Sequence, residues 1–272
     1  KRGLLLPLYS LKQRFKTRGR ILSVILSEEK MSRESFLNRV KEALSSGSNG
    51  ETDLSKKLLI DDNIDDLIER TEAIRYQSRT DWMELFDTLK ISSQNAGWKV
   101  HRCDSYDDAS DYIASLAFER NLTHIVISDQ ESTGRLNLGK GNLPPKSEIT
   151  VVKPNDQNPS FNRLQAVNAD IGVTGVDYAI AETGTCVVSA SNEVGRLVSL
   201  APPMYVAVVG KGQVLPSLDE LFTLQRKDFV DGNSSSYTSL ISGPSRSADI
   251  EYTLVTGVHG PGEVHLLLVE ED

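Results

Sequence analysis

The 272-residue sequence predicts an α/β fold, an open and mostly parallel sheet flanked by helices. Three observations carry that reading. Helix-like and strand-like stretches alternate from about residue 64 to residue 127. The same rhythm resumes at Ala169 after a loop-rich interval. The chain is also long enough to bury a core without disulfides or a structural metal.

Taken in order, Met31-Ser32-Arg33-Glu34 opens a helix that Ser32 can cap, with Phe36, Leu37, Val40 and Leu44 on one face. Residues 45–50, all Ser, Gly or Asn, form a flexible linker by composition. A long helical zone follows over residues 64–93, where Ile64, Leu67 and Ile68, then Trp82, Leu85, Phe86 and Leu89, return at helical spacing. Gly97 stops it. Residues 98–103 read as a short strand, and Ala109, Tyr112, Ile113, Leu116 and Ala117 mark the next helix. His124-Ile125-Val126-Ile127 is a buried strand by composition. Residues 129–168 are rich in Gly, Pro, Asn and Ser, with one apolar run, Ile149-Thr150-Val151-Val152, and are expected to be a loop-rich insertion or a peripheral lobe of the same domain. Strands are expected at 170–173, 178–181, 186–188 and 205–209. Ser217-Leu218-Asp219-Glu220 is a capping box that opens a helix through Phe222 and Leu224. Strands at 237–241 and 264–269 close the chain.

Composition excludes several functions. Thirty Lys and Arg against 38 Asp and Glu leave a net charge of −8, which argues against a nucleic-acid binder working through a basic face. The two cysteines, Cys103 and Cys186, cannot supply the four thiolates of an iron–sulfur cluster, and neither sits in a CxxC pair. Both read as buried small hydrophobes in a protein of the reducing cytoplasm. Residues 1–30 are basic, and their short apolar stretches fall below the ~20 residues of a membrane span. They fit a signal or transit peptide poorly. The expectation is an upstream extension before a native start at Met31, then a helix and linker at 31–50 and the main domain over 51–272.

Three Gly-studded bends could carry chemistry. In the first, Glu182-Thr183-Gly184-Thr185 follows a strand, where open α/β sheets place ligands. Backbone N–H groups at Gly184 and the hydroxyls of Thr183 and Thr185 could hold an anion, and Glu182 could be a base or nucleophile. The alternative is a tight turn with a solvated Glu. In the second, Gly243-Pro244-Ser245-Arg246 offers turn N–H groups and a guanidinium that can grip a carboxylate or phosphate. Alternatively, Arg246 pairs with Asp249 or Glu251 as a brace. In the third, Gly257-Val258-His259-Gly260-Pro261 places a His that titrates near neutrality in a loop open to ligand. His265 lies inside the last strand and reads as packed. A metal site on His259 and His265 lacks a third ligand, so no metal is expected. There is no Walker A pattern and no GxGxxG.

Residues 169–185, Gly195-Arg196, Ala201-Pro202-Pro203, the run from Gly243 to Glu251 and the run from Gly257 to Pro261 together resemble the lactate utilisation protein C (LutC/YkgG, LUD-domain) family. The resemblance covers most of the chain from Met31 onward, is strongest after Ala169, and is loose over 129–168. Met204-Tyr205 stands where family members often carry a His. The resemblance implies a fold similar to the CoA-transferase, ribose-5-phosphate isomerase and formyltetrahydrofolate cyclo-ligase group. It also implies a cytoplasmic protein needed for oxidation of L-lactate to pyruvate beside two partner proteins that hold iron–sulfur clusters.

Three functions follow in order of preference. The first is a non-redox subunit of a lactate-oxidising complex, with no cofactor of its own, that binds lactate or holds its partners in place; Arg246 would hold the carboxylate and His259 the hydroxyl, with the Thr183-Gly184-Thr185 turn closing the site. The second is an independent enzyme on a small phosphorylated or acyl (CoA-like) anion, with Glu182 as base or nucleophile. The third is an interaction or regulatory module. The first two expect the three bends to meet at one end of a sheet and form an anion pocket.

Overall fold

A central sheet of six strands, all parallel, organises the chain. The computed structural model describes residues 64–140, 143–153, 159–191, 195–248, 254–257 and 259–271, together with Asn38. The chain divides into residues 1–62 and 63–272, and all the elements named here belong to the second unit. The expected extension at 1–30 and the helix and linker at 31–50 lie outside the described residues, apart from Asn38.

Helices α1 (Ile64–Thr80) and α2 (Trp82–Ala96) come first. The single zone expected over 64–93 is thus two helices, broken at Asp81. Gly97 ends α2 in the left-handed conformation at φ 100°, and its N–H bonds back to the last turn. Then follow β1 (Lys99–Cys103), α3 (Tyr106–Arg120) and β2 (His124–Ser128). Ser105 caps α3 by accepting from the Asp108 N–H, and Asn121 ends it in the left-handed region.

The interval at 129–168 corrects the expectation of an insertion. It holds α4 (Glu131–Gly134), β3 (Glu148–Val152) and α5 (Pro159–Asn168), and β3 pairs in parallel with β2 as an edge strand of the central sheet. The run Ile149-Thr150-Val151-Val152 is that strand, and the polar composition around it belongs to the connections. Next come β4 (Ile171–Gly175), β5 (Tyr178–Ile180), β6 (Thr185–Ser189), α6 (Arg196–Leu200), β7 (Met204–Gly210) and β8 (Val214–Leu215). Helix α7 (Leu218–Val230) starts on the expected capping box: the Ser217 side chain and the Glu220 carboxylate each accept at the helix start. Strands β9 (Thr238–Ile241), β10 (Arg246–Ala248), β11 (Leu254–Thr256) and β12 (Glu263–Val269) complete the chain.

The central sheet runs β1-β12-β7-β4-β2-β3. Strand β7 is buried along its whole length, and its side chains alternate between two cores. Met204, Val206 and Val208 pack with Ala109, Ile113 and Leu116 of α3. Tyr205, Ala207 and Val209 pack with Leu85, Phe86 and Leu89 of α2 and with Ala179, Cys186 and Val188 of a second sheet. That second sheet is mixed, in the order β8-β5-β6-β9, and its outer face is covered by Leu221 and Leu224 of α7 and by Ile74 of α1. Strands β10 and β11 form a separate antiparallel pair.

Gly172, inside β4, sets how closely α6 can approach. A Cβ there would lie 1.9 Å from the Val198 carbonyl oxygen, so only glycine lets this backbone meet the sheet. Gly172→Ala is expected to destabilise the fold by about 3 kcal/mol or more, measured by urea denaturation. Gly139→Ala, where an added Cβ meets nothing within 4 Å, is expected to stay within about 0.5 kcal/mol of the parent.

Candidate functional site

The three bends are joined to one another, and their polar groups are spent largely on that junction. Gly184, at φ 65°, packs on the last turn of α2, where a Cβ would lie 2.6 Å from the Ser93 backbone. The Ser92 hydroxyl donates to the Ala181 carbonyl at 2.5 Å, and the Gly184 N–H returns to Ile180. Thr183, Thr185 and Ser242 form a hydroxyl chain with steps of 2.8 and 2.7 Å, which links the first bend to the second. Gly243, at φ 107°, is pressed against the Ala96 carbonyl. Arg246 donates to that same carbonyl at 3.1 Å, a cation on the open C-terminal end of α2. The Ser245 N–H donates to Pro261 and the Gly257 N–H to Ser245, at 2.8 and 2.9 Å, which ties in the third bend. His259 is exposed there. Glu182 is exposed too, in a groove of about 390 Å³ shared with Asp81 and Glu84, a setting of negative charge.

A different hollow lies at the C-terminal end of the central sheet, where parallel α/β sheets bind ligands. This cleft has a volume of about 580 Å³, within the usual range for small-molecule sites. Four strand ends contribute: Gln130 and Ser132 after β2, Val176 and Asp177 after β4, Lys211 and Gln213 after β7, and Glu271 after β12. Tyr106 and Arg135 form one wall and Arg79 of α1 another. Gln213 fastens the floor: its Oε1 accepts from the Gly210 N–H and its Nε2 donates to the Val176 carbonyl, both at 2.7 Å. Gly175 leaves room for Ser132, since a Cβ there would sit 2.1 Å from the hydroxyl.

Charge in the cleft is mixed. The Arg135 guanidinium lies 3.9 Å over the Tyr106 ring and pairs with Glu271 at 3.1 Å. The Lys211 ammonium stands 4.7 Å from the Trp82 ring centre. Arg79 makes no hydrogen bond or ion pair among the described residues. Asp177 accepts from the Ser189 N–H at 2.6 Å, yet burial, only partly opposed by Ser189, pushes its carboxyl above the usual range. The lining thus sets Arg79, Arg135 and Lys211 against Glu131, Asp177 and Glu271, so cations and carboxylates face the same space.

The sequence profile of the LUD domain matches residues 86–269. The chain belongs to the LUD-domain family. Lactate utilization protein C from Bacillus subtilis (strain 168) is 39% identical over 111 residues, 40% of this chain and 46% of that protein. The protein of the same name from Halalkalibacterium halodurans is 43% identical over 108 residues, 39% of this chain and 47% of that one. The chain thus spans about half the length of these curated relatives. A crystal structure of a DUF162 family protein from Deinococcus radiodurans aligns with a TM-score of 0.46 at 18% identity, covering 69% of this chain and 97% of that one. Among the described residues of the LUD domain, no helix is long and apolar enough to cross a membrane.

His265 is packed, as its strand position suggests, at 1% exposure. Its Nδ1 lies 2.8 Å from the Tyr112 hydroxyl and its Nε2 2.8 Å from Glu263. Burial outweighs Glu263 and lowers the imidazole below its usual range, so the neutral ring accepts from Tyr112 and donates to Glu263. Burial alone would raise Glu263, but hydrogen bonds from Arg120, Lys99 and His265 hold it at about 2.

Sequence reasoning did not find Arg79, Asp177, Lys211 or Gln213. Asp177 had a usable signal: it follows the run Ile171-Gly172-Val173-Thr174-Gly175, a buried strand of the LUD domain whose C-terminal end is a ligand position. Arg79 had none, since it reaches the cleft from a helix far away in sequence.

Two measurements follow. Arg246→Ala is expected to lower stability by about 1 kcal/mol through loss of the helix-end contact, seen as a reduced urea midpoint. The folded-state values of His265 and Glu263 both lie below their unfolded ones, so protons favour the unfolded chain. The stabilisation is complete above pH 6.5; the His265 share is lost as pH falls below that value, and the Glu263 share as pH falls from 4.5 toward about 2. Urea titrations at pH 7.5 and about 5.5 are expected to show a smaller loss for His265→Gln than for the parent.

Proposed function

We propose that this protein serves in the utilisation of lactate as a non-redox component that holds a small 2-hydroxy carboxylate in the sheet-end cleft. The observation that carries the reading is the 39–43% identity to proteins named Lactate utilization protein C. Physical support comes from the cleft. Arg79 and Lys211 supply positive charge for the carboxylate, and Asp177, whose carboxyl burial raises above its usual range, lies on the same lining as a group that can accept from the hydroxyl. The carboxylate is placed here because Arg246, the other candidate, is engaged with the end of α2.

Lactate oxidation removes two electrons. The two cysteines of the chain are both buried, and they cannot hold an iron–sulfur cluster between them. In this reading the electrons pass to iron–sulfur partner proteins, in the cytoplasm, and this subunit presents or retains the carboxylate. The expected acyl or phosphorylated substrate is the competing occupant of the same cleft, since any small anion meets the same cations there.

Calorimetric titration with L-lactate, pyruvate, coenzyme A and ribose 5-phosphate separates the two. L-lactate or pyruvate is expected to bind, and Arg79→Ala to weaken binding roughly tenfold, equivalent to about 1.4 kcal/mol. Binding of coenzyme A or the sugar phosphate alone would replace the lactate reading with the enzyme reading. Lactate-dependent dye reduction by the iron–sulfur partners, undiminished when this protein is left out, would remove the subunit role.

A further inference from the structure

At the end of β1 and the start of α3, three side chains of different chemistry converge. His101 and Cys103 lie two residues apart on β1, so they share one face of the strand. Asp108 stands in the first turn of α3, which begins after the short bend that follows Cys103. Their ligand atoms all lie within 4.8 Å of one another. Cys103 is fully buried, and its sulfur makes no hydrogen bond among the described residues. Burial first, then the charges of Asp108 and Asp104, push the thiol up to about 12. Cys186 is equally buried, but among the described residues only Cys103 stands in a cluster with a carboxylate and an imidazole.

We propose that His101, Cys103 and Asp108 form a binding site for a divalent metal ion of zinc type. Three atoms no more than 4.8 Å apart share a point about 2.8 Å from each, so shifts of less than an ångström bring the ligands to zinc distances of about 2.0–2.3 Å. A thiolate, an imidazole and a carboxylate together suit zinc over magnesium or calcium, which prefer oxygen alone. The surroundings already orient two of the ligands. The Tyr112 ring stacks on His101 at 4.5 Å and an interplanar angle of 19°. One Asp108 oxygen accepts from the Asp104 N–H at 3.1 Å, which leaves the other to face the ion. Binding breaks the S–H bond; the proton leaves to solvent and the sulfur gives its electron pair to the metal. Three protein ligands leave a fourth position for water, as in zinc sites that do more than brace a fold.

The spacing His-x-Cys followed five residues later by Asp escapes a search for CxxC pairs because the ligands come from a strand and the helix after it. The site makes no use of Arg79, Asp177 or Lys211, so it stands or falls apart from the lactate reading.

The test uses the full chain, stripped of metal with chelator and titrated with Co²⁺. The expected result is a thiolate-to-cobalt charge-transfer band that saturates at one equivalent and is displaced by Zn²⁺. Cys103→Ser is expected to abolish the band, and Cys186→Ser to keep it. Asp108→Asn, at a half-buried position that tolerates an amide, is expected to stay folded by circular dichroism and bind Co²⁺ at least tenfold more weakly. Zn²⁺ is expected to raise the melting temperature of the parent and not of Cys103→Ser. No charge-transfer band in the parent, a band that survives Cys103→Ser, or unchanged affinity in folded Asp108→Asn would each overturn the assignment.

Discussion

Burial of β7 on both faces is the constraint from which the rest of the molecule follows. Its seven residues face α3 and its apolar partners on one side, and α2 with the second sheet on the other. A parallel strand cannot be reached by a hairpin, so each neighbour must be entered by a crossover that covers one face or the other. Parallel order also brings the C-terminal ends of β2, β4, β7 and β12 to the same end. The cleft is therefore a product of the way the core is buried, and Gln213 records this directly by bonding to the ends of both β4 and β7. Backbone groups that would lose their ladder at the strand ends find that amide instead.

The second sheet grows out of the same end. The chain leaves β4 to form β5 and β6, and leaves β7 to form β8, α7 and β9, before returning to the central sheet. These excursions need an anchor, and α2 provides it. Gly184 and Gly243 press against its last turns, Arg246 bonds the open Ala96 carbonyl, and Ser92 bonds Ala181. Glycines and small hydroxyls therefore mark a joint between backbones. The same composition would mark an anion-binding turn, since both uses need close backbone approach and available N–H groups. What separates them is where the N–H groups point: here Ser245 and Gly257 direct theirs across the joint, and Gly184 turns its own back to Ile180.

Local signals in the sequence were legible where physics is local. The capping box at Ser217, the stop at Gly97 and the apolar runs of β2, β7 and β12 all appear at their expected places. The break at Asp81 was hidden because apolar spacing continues from one helix to the next. The strand at Glu148–Val152 was hidden by its neighbours: an edge strand has one partner, tolerates exposure, and reads as a brief run inside polar connections. Membership of β5 and β6 in a second sheet leaves no local trace, because pairing is decided by partners distant in sequence. The cleft residues share that difficulty. Arg79 and Lys211 are unremarkable as letters and gain a role only when α1 and the end of β7 meet.

The polar seam under α3 shows what such meetings do to chemistry. Glu263, His265, Tyr112 and His101 follow one another between the neighbouring strands β1 and β12 and helix α3, each hydrogen-bonded or stacked on the next. Buried polar groups of this kind destabilise a fold by a few kcal/mol unless partnered. Lys99 and Arg120 settle the charge of Glu263 at one end, at the start of β12. At the other end the seam reaches Cys103 and Asp108, where a thiol is left without a bond and a carboxylate faces it. The seam therefore ends on a thiol, an imidazole and a carboxylate within reach of one another, a set of donors that a zinc-type cation would join.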